Sequence, residues 1–296
     1  MVFINKEGKF NENTWLIDGS LSIFGGKGNF SLYVIENNGT RMMIDAPEKK
    51  IVPKIIEKLN EFKIYPIHKI FLTHSHFDHI EGVHELKKLI KEIKIEVLAS
   101  ENAIENLKNP HKINEVFEGK MEPINEVTPL KDNEIIDLNG LKLKVLNFHG
   151  HTMDCIALFD KKNKNIFTGD AIIDKLSIYY FQPTFMPTDF HEVELLKTFQ
   201  KLRNMKDELN SISLAHYGVW TDEDFKQIIN SMEELHFATK DSIIKWYKEN
   251  PSYNYLALKF HEKFIPKSKI IKLGNIGILE KQMEWFVEGL KRSGFI

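Results

Sequence analysis

The stretch THSHFDHIEG, residues 73–82, places three histidines and an aspartate within six positions, from His74 to His79. The apolar run at residues 70–72 comes directly before it, so the polar cluster begins where a predicted strand ends. Burying imidazole and carboxylate groups costs free energy unless something binds them. Zinc, iron and manganese are all bound by these two kinds of side chain, so the stretch predicts a metal site.

Three other predicted strands are also followed directly by residues that could bind a metal ion. These residues are His149 and His151 after KVLNF, Asp170 after NIFTG, and His216 after SISLA. If the strands lie in packed sheets with a shared edge, their ends meet there, where α/β proteins usually place their sites. Any one of these residues alone is more simply explained as a surface residue, but the shared position after a strand predicts a common site.

Within the first stretch, the spacing of the side chains favours convergence. The alternation of an extended strand end directs His74 and His76 the same way. The chain then turns, so that Asp78 and His79 can face the same site from the loop.

Composition excludes several classes of function. The chain has 296 residues, of which 42% are hydrophobic and 28% charged, and its formal net charge is -2, as in ordinary globular proteins. This charge balance argues against nucleic-acid and membrane-surface partners. We find no apolar run long enough for a bilayer and no signal peptide, and the single cysteine, Cys155, excludes an intramolecular disulfide. We therefore expect a cytoplasmic protein. The oligomeric state is open, and a homodimer is one alternative.

The periodicity of the chain predicts two parts. Strand-rich blocks alternate with helices up to residue 221, and only helical patterns remain afterwards. We therefore predict a metal-binding domain over residues 1–221 and a helical C-terminal extension over residues 222–296. The aromatic residues of the extension favour packing beside the site, where the extension would cap or flank it. The apolar segment 175–187 is expected to join the same wall.

These motifs together resemble those of the metallo-β-lactamase superfamily. The match comprises HxHxDH at 74–79, GHT at 150–152, GD at 169–170, and His216 followed by Gly218. The resemblance covers residues from about 15 to 220. It implies an α+β fold, a four-layer αββα sandwich, with a metal pair along one edge. One metal ion would be held by His74, His76 and His151, and the other by Asp78, His79 and His216, with Asp170 bridging them.

Departures from the patterns of individual subfamilies narrow the implied activity. Asp170 stands where class B1 lactamases have a cysteine, and His76 stands where flavodiiron proteins have a glutamate. The Gly-Cys-Gly-Arg element of persulfide dioxygenases does not follow Asp170. The resemblance then points to glyoxalase II-like thioesterases, acyl-homoserine-lactone lactonases and the quinolone-signal-response thioesterase.

The resemblance implies a dinuclear metal-dependent hydrolase in which a bridging hydroxide attacks a carboxylic ester, lactone or thioester. Two Zn²⁺ per chain are expected, with Fe or Mn as alternatives, and the substrate would be a small molecule with an apolar acyl part. Asp78 is expected to take up and return the proton. Tyr180 is a candidate to bind the substrate carbonyl, with packing as its alternative role. Asp154 is expected to orient a ligand histidine through its second nitrogen.

Two other functions compete with this one. The chain could be a non-catalytic or regulatory ligand-binding member of the fold, or a mononuclear iron oxygenase. A complete set of metal ligands favours the hydrolase, because a non-catalytic relative does not need all of them.

Overall fold

The computed structural model describes residues 3–21, 28–172, 174–177 and 180–296. Within these ranges, two mixed sheets of seven strands each form the centre of the molecule. The first sheet contains, in spatial order, β2 (Gly8–Lys9), β3 (Thr14–Asp18), β4 (Ser31–Asn37), β5 (Thr40–Ile44), β6 (Lys69–Phe71), β7 (Glu96–Ser100) and β8 (Thr128–Leu130). The second contains β1 (Phe3–Ile4), β16 (Gly218–Thr221), β15 (Ser211–Leu214), β12 (Asn165–Gly169), β11 (Ile156–Asp160), β10 (Leu141–Asn147) and β9 (Ile135–Leu138). A separate hairpin consists of β13 (Asp174–Ser177) and β14 (Tyr180–Gln182).

Helices cover the outer face of each sheet. In chain order they are α1 (Val52–Glu61), α2 (Phe77–Ile80), α3 (Val83–Leu89), α4 (Ile104–Lys108), α5 (His111–Phe117), α6 (Glu192–Met205), α7 (Asp222–Glu249), α8 (Tyr253–Phe264) and α9 (Ile276–Arg292). Among the described residues, no helix combines the length and the apolar character needed to cross a membrane.

Three buried clusters show how the layers stack. One lies between the sheets and joins residues such as Phe71 of β6 to Phe167 of β12. A second joins the first sheet to α1 and α3, and the third joins the second sheet to α6, α7, α8 and α9. This order of layers is an αββα sandwich, which confirms the predicted α+β fold.

Tight turns set the register of the hairpins that build each sheet. Asn38 and Gly39 join β4 to β5 with φ of 47° and 82°, and Asn139 and Gly140 join β9 to β10 with φ of 51° and 100°. Positive φ at both central residues is the geometry that Asn-Gly favours in two-residue hairpins. Both dipeptides are visible in the sequence, which makes both turns predictable from it.

Parallel pairing brings the site residues to one edge. Strand β5 runs parallel to β6, and β12 runs parallel to β15. Neighbouring parallel strands end at the same edge of a sheet, so the residues that follow β5 and β6 come together in the first sheet and those that follow β12 and β15 come together in the second. The two sheets stack face to face, and this brings the two edges together.

The last three helices contain most of the C-terminal part of the chain. Trp285 of α9 contacts the ring of Phe117 at 5.4 Å and that of Phe77 at 6.3 Å between centroids. Phe117 in turn lies 5.2 Å from the ring of His76. The helical part therefore reaches the edge that carries the histidines. Its division from residues 1–221 as a separate domain stays a prediction.

Candidate metal site

The seven residues predicted as ligands are buried and lie in two adjacent groups. The first group is His74, His76 and His151, and the second is Asp78, His79, Asp170 and His216. Within each group, one potential ligand atom from every residue lies within 4.8 Å of all the others. The convergence follows from the strands, since each residue stands at or shortly after a strand end.

Asp170 lies between the two groups. Its Oδ2 is 3.3 Å from Nε2 of His216 and 3.6 Å from Nε2 of His79 in its own group. The same oxygen is 3.8 Å from Nε2 of His151 in the other group. A carboxylate in this position can contact ions bound by both groups.

Glycines beside the ligands let the chain pass close to its neighbours. Gly150, before His151, has φ of 133°, and a Cβ there would lie 2.3 Å from the Cα of Leu195. Gly169, before Asp170, has φ of 54°, and a Cβ would lie 2.5 Å from Oγ1 of Thr73. Side chains are excluded at both positions by backbone conformation and by space.

Backbone carbonyls fix the hydrogen position on two ligand histidines. His151 Nδ1 is 2.6 Å from the carbonyl oxygen of Thr184, and His76 Nε2 is 3.2 Å from that of Pro187. A carbonyl only accepts hydrogen bonds, so both of these nitrogens carry the hydrogen. The remaining atoms, His76 Nδ1 and His151 Nε2, face each other at 3.0 Å. In neutral imidazoles both then present lone pairs to the same point, which suits a cation and not a mutual hydrogen bond.

A buried carboxylate plays the corresponding role in the second group. Asp45 Oδ2 accepts a hydrogen bond from Nδ1 of His79 at 2.8 Å. Its Oδ1 accepts one from the backbone N–H of Thr73 at 2.7 Å. His216 Nδ1 donates to the carbonyl of Asn29 at 2.7 Å. In both histidines the Nε2 atom is thereby directed at the cluster.

Three buried polar atoms in the cluster have no hydrogen-bond partner among the described residues. They are Nε2 of His74, Nε2 of His79 and Oδ1 of Asp170. Unsatisfied buried polar atoms are costly and rare in native proteins. Their occurrence on the predicted ligand atoms fits metal binding, and the nitrogen and oxygen donors suit zinc, iron or manganese.

The first group consists of neutral imidazoles. Burial lowers the pKa of His74 and of His76 well below the usual value, and neighbouring imidazoles lower it further. Burial also lowers the pKa of His151, against an opposing effect of Asp170. Neutral imidazole is the form that binds metal ions.

Negative charge concentrates in the second group. Burial lowers the pKa of His79, but Asp45, Asp78 and Asp170 outweigh it and raise this pKa well above the usual value. Burial raises the pKa of Asp170, yet His216 and His79 hold it well below the usual value. The carboxylates thus favour a positive charge among them.

The prediction for Asp154 was wrong. Asp154 accepts hydrogen bonds from Thr152 and from Asn106 Nδ2. The second nitrogen of His151 contacts the carbonyl of Thr184 instead. Asp154 therefore braces the loop that carries His151 and does not orient a ligand ring.

The side chain of Tyr180 lies outside what the structure describes, although its backbone belongs to β14. Tyr179 and residues 22–27, part of a glycine-rich segment that precedes β4, also lie outside the described residues.

Sequence reasoning missed Asp45. A signal was available, because Asp45 directly follows the apolar residues Met42, Met43 and Ile44, as the predicted ligands follow their strands. The roles of the carbonyls of Thr184, Pro187 and Asn29 could not be predicted from the sequence, since every residue has a backbone carbonyl.

Comparison with known proteins agrees with this geometry. The model of the metallo-beta-lactamase superfamily matches residues 25–215. A hydroxyacylglutathione hydrolase of Bartonella tribocorum is 26% identical over 183 residues, which span 62% of this chain and 60% of that protein. An acyl-coenzyme A thioesterase of Homo sapiens is 26% identical over 112 residues, which span 34% of this chain and 40% of that protein.

A solved structure shows the same fold. The metallo-beta-lactamase family protein from Thermus thermophilus superposes with a TM-score of 0.63 and 17% identity, covering 95% of this chain and 94% of that one. The family match extends over well over half of the chain and includes six of the seven candidate ligands, and His216 lies one residue beyond its end. This protein is therefore a member of the metallo-β-lactamase superfamily.

Proposed function

We propose that this protein is a dinuclear metal-dependent hydrolase that cleaves a carboxylic ester, lactone or thioester. The observation that carries the proposal is the pair of adjacent ligand groups with Asp170 between them. Two of the relatives reported above are named as a hydroxyacylglutathione hydrolase and an acyl-coenzyme A thioesterase, and these names support a hydrolytic reaction.

The residues divide into two sets for two ions, which we propose to be Zn²⁺. His74, His76 and His151 would hold one ion, and Asp78, His79 and His216 the other, with Asp170 shared between them. When bound, a metal pair lowers the pKa of a water molecule and polarises a carbonyl oxygen.

Asp78 is proposed to move the proton during the reaction. It is buried among the second group, and its Oδ2 lies 3.7 Å from Nε2 of His79 and 3.8 Å from Nε2 of His216. A carboxylate fixed at this place can accept a proton from a reacting water and return it to the leaving group. Tyr180 remains the proposed hydrogen-bond donor to the substrate carbonyl.

The substrate is proposed to be a small molecule with an apolar acyl part. Phe77, Phe117 and Trp285 form an aromatic cluster beside His76, which offers apolar surface next to the ligand groups. The human relative is named as a thioesterase, which favours a thioester among the three bond types. The composition and the single buried cysteine support a cytoplasmic location.

The test is a hydrolysis screen over thioesters, lactones and aryl esters, combined with metal analysis of protein purified without added metal. We expect two metal ions per chain and turnover of at least one class, abolished by chelation and restored by Zn²⁺. One iron per chain with oxygen consumption would support the oxygenase instead. Ligand binding without turnover by the fully metallated protein would support the regulatory alternative.

A further inference from the structure

One short segment supplies the carbonyls that orient both facing histidines of the first group. The carbonyl of Thr184 accepts from His151, and that of Pro187 accepts from His76. The hydroxyl oxygen of Thr188, Oγ1, lies 3.3 Å from the same atom of His76, Nε2. Segment 184–188 therefore determines the ring orientation of two of the three residues in this group.

The segment does not belong to a helix or strand that would hold it by its own hydrogen-bond ladder. Thr188 has φ of 107°, a conformation that a β-branched residue adopts only when the surrounding structure imposes it. The segment must therefore be held in place by the elements that pack against it.

Helix α9 packs directly on the segment. A Cβ on Gly289 would lie 2.6 Å from the carbonyl oxygen of Phe185 and 2.8 Å from the carbonyl carbon of Met186. The ring of Phe286, three residues earlier, lies 5.5 Å from the fully buried ring of Phe185. The absence of a side chain at Gly289 is what allows this close approach.

The same helix reaches His76 by a second route. Trp285 packs on Phe117, and Phe117 packs on the ring of His76. Helix α9 is thus in contact both with the segment that orients His76 and with an aromatic ring that covers it.

We infer that α9 is a positioning element for the first ligand group, and that Gly289 is its positioning residue. Gly289 lets the helix press on residues 185–186, which holds the carbonyls of Thr184 and Pro187 against His151 and His76. This role rests on the proposed function, because it concerns the affinity of that group for a metal ion.

The test compares Gly289→Ala with Gly277→Ala in the full chain. Both substitutions add one methyl group to α9, but the Cβ at Gly277 would meet nothing within 4 Å. Zn²⁺ is titrated in competition with a chromophoric chelator, the visible spectrum of the Co²⁺-substituted protein is recorded, and unfolding in urea is followed. Disturbing the groups that hydrogen-bond metal-binding side chains typically lowers metal affinity by about 10–100-fold.

We expect Gly289→Ala to weaken one of the two Zn²⁺-binding steps by about 10–100-fold and to alter the Co²⁺ spectrum. Gly277→Ala should behave as the wild type. Unchanged affinity and spectrum in Gly289→Ala would overturn the inference, and so would equal weakening of both steps together with general destabilisation. A wild type that binds no metal would instead overturn the proposed function.

If Gly289→Ala does not fold, Phe286→Leu provides the decision. It removes the ring that packs on Phe185 without introducing a backbone collision. A selective but smaller loss of affinity at one step supports the inference, and wild-type affinity in the folded Phe286→Leu protein overturns it.

Discussion

Replacing Asp45 by asparagine should weaken metal binding by the second ligand group, although Asp45 is not itself one of the proposed ligands. One oxygen of Asp45 accepts from the backbone N–H of Thr73 at 2.7 Å and the other from Nδ1 of His79 at 2.8 Å, and the rotatable hydroxyl of Thr73 lies 3.0 Å from both oxygens. Asparagine has only one acceptor oxygen and presents an amide donor on the other side. Either the N–H of Thr73 or that of His79 must then face another donor inside a buried site.

Both outcomes of this conflict carry a cost. If the amide faces His79, the imidazole must move its hydrogen to Nε2, the atom directed at the cluster, and that atom can no longer bind a metal ion. If the amide faces Thr73, a buried backbone donor is left without a partner, at about 1–3 kcal/mol. Losing a hydrogen bond to a metal-binding histidine typically lowers metal affinity by about 10–100-fold, which corresponds to about 1.4–2.7 kcal/mol and lies in the same range.

The backbone does not complicate the test. Asp45 has φ of 60°, which asparagine tolerates as well as aspartate does. Asp160→Asn is a matched control, because Asp160 is also fully buried at a strand end but accepts its hydrogen bonds from Asn163. The assay is Zn²⁺ competition with a chelator for the wild type and both variants. Wild-type affinity in Asp45→Asn, or an equal loss in Asp160→Asn, would refute the reasoning.

Four further predictions concern catalysis, the substrate and stability. Asp78→Asn should lower turnover by at least about 10²–10⁴-fold with the fold intact, because a nearly isosteric amide cannot accept the proton; steady-state rates, metal content and circular dichroism check this, and wild-type turnover would contradict the proposed role. Tyr180→Phe should lower kcat less, by at most about 10²–10³-fold, as for one lost hydrogen bond to a developing oxyanion. Trp285→Leu should reduce kcat/KM for long-acyl substrates about 10-fold more than for short-acyl ones, whereas Trp246→Leu, which alters a similarly buried ring packed on Phe264, should not discriminate by chain length. Burial lowers the pKa of His236 below 6.5 against the opposing effect of Glu192, so the unfolded state binds the proton more readily and the free energy of unfolding should fall as the pH drops below 6.5. His236→Gln should reduce this dependence on pH by up to about 1.4 kcal/mol per pH unit. The free energies of unfolding are measured by urea titration at pH 7.0 and 5.5, and an equal difference between the two pH values in wild type and variant would disprove the prediction.

Strand ends were the part of the site that the sequence could reveal. A polar residue after an apolar run is visible in the sequence. Parallel pairing of β12 with β15 brings Asp170 and His216 together, and the stacking of the two sheets brings them beside His74, which follows β6. Asp45 obeys the same rule and could have been included. The hairpins at Asn38-Gly39 and Asn139-Gly140 were likewise predictable, because few dipeptides accept positive φ at both positions.

What the sequence could not reveal depends on long-range packing. His151 is oriented by a backbone carbonyl 33 residues away, and this contact does not depend on the type of side chain at that position. Asp154 was expected to orient a ligand histidine, yet Thr152 and Asn106 donate hydrogen bonds to it instead. The contact between Gly289 and residues 185–186 joins segments about a hundred positions apart and is visible only in the fold.

The central claim is that two metal ions lie side by side at this edge of the sandwich. Crystals grown with Zn²⁺ and measured on both sides of the zinc absorption edge test it directly. We predict two anomalous peaks per chain, one among His74, His76 and His151 and the other among Asp78, His79 and His216, with Asp170 between them. A single peak, or zinc bound elsewhere while these seven side chains contact no ion, would contradict the account.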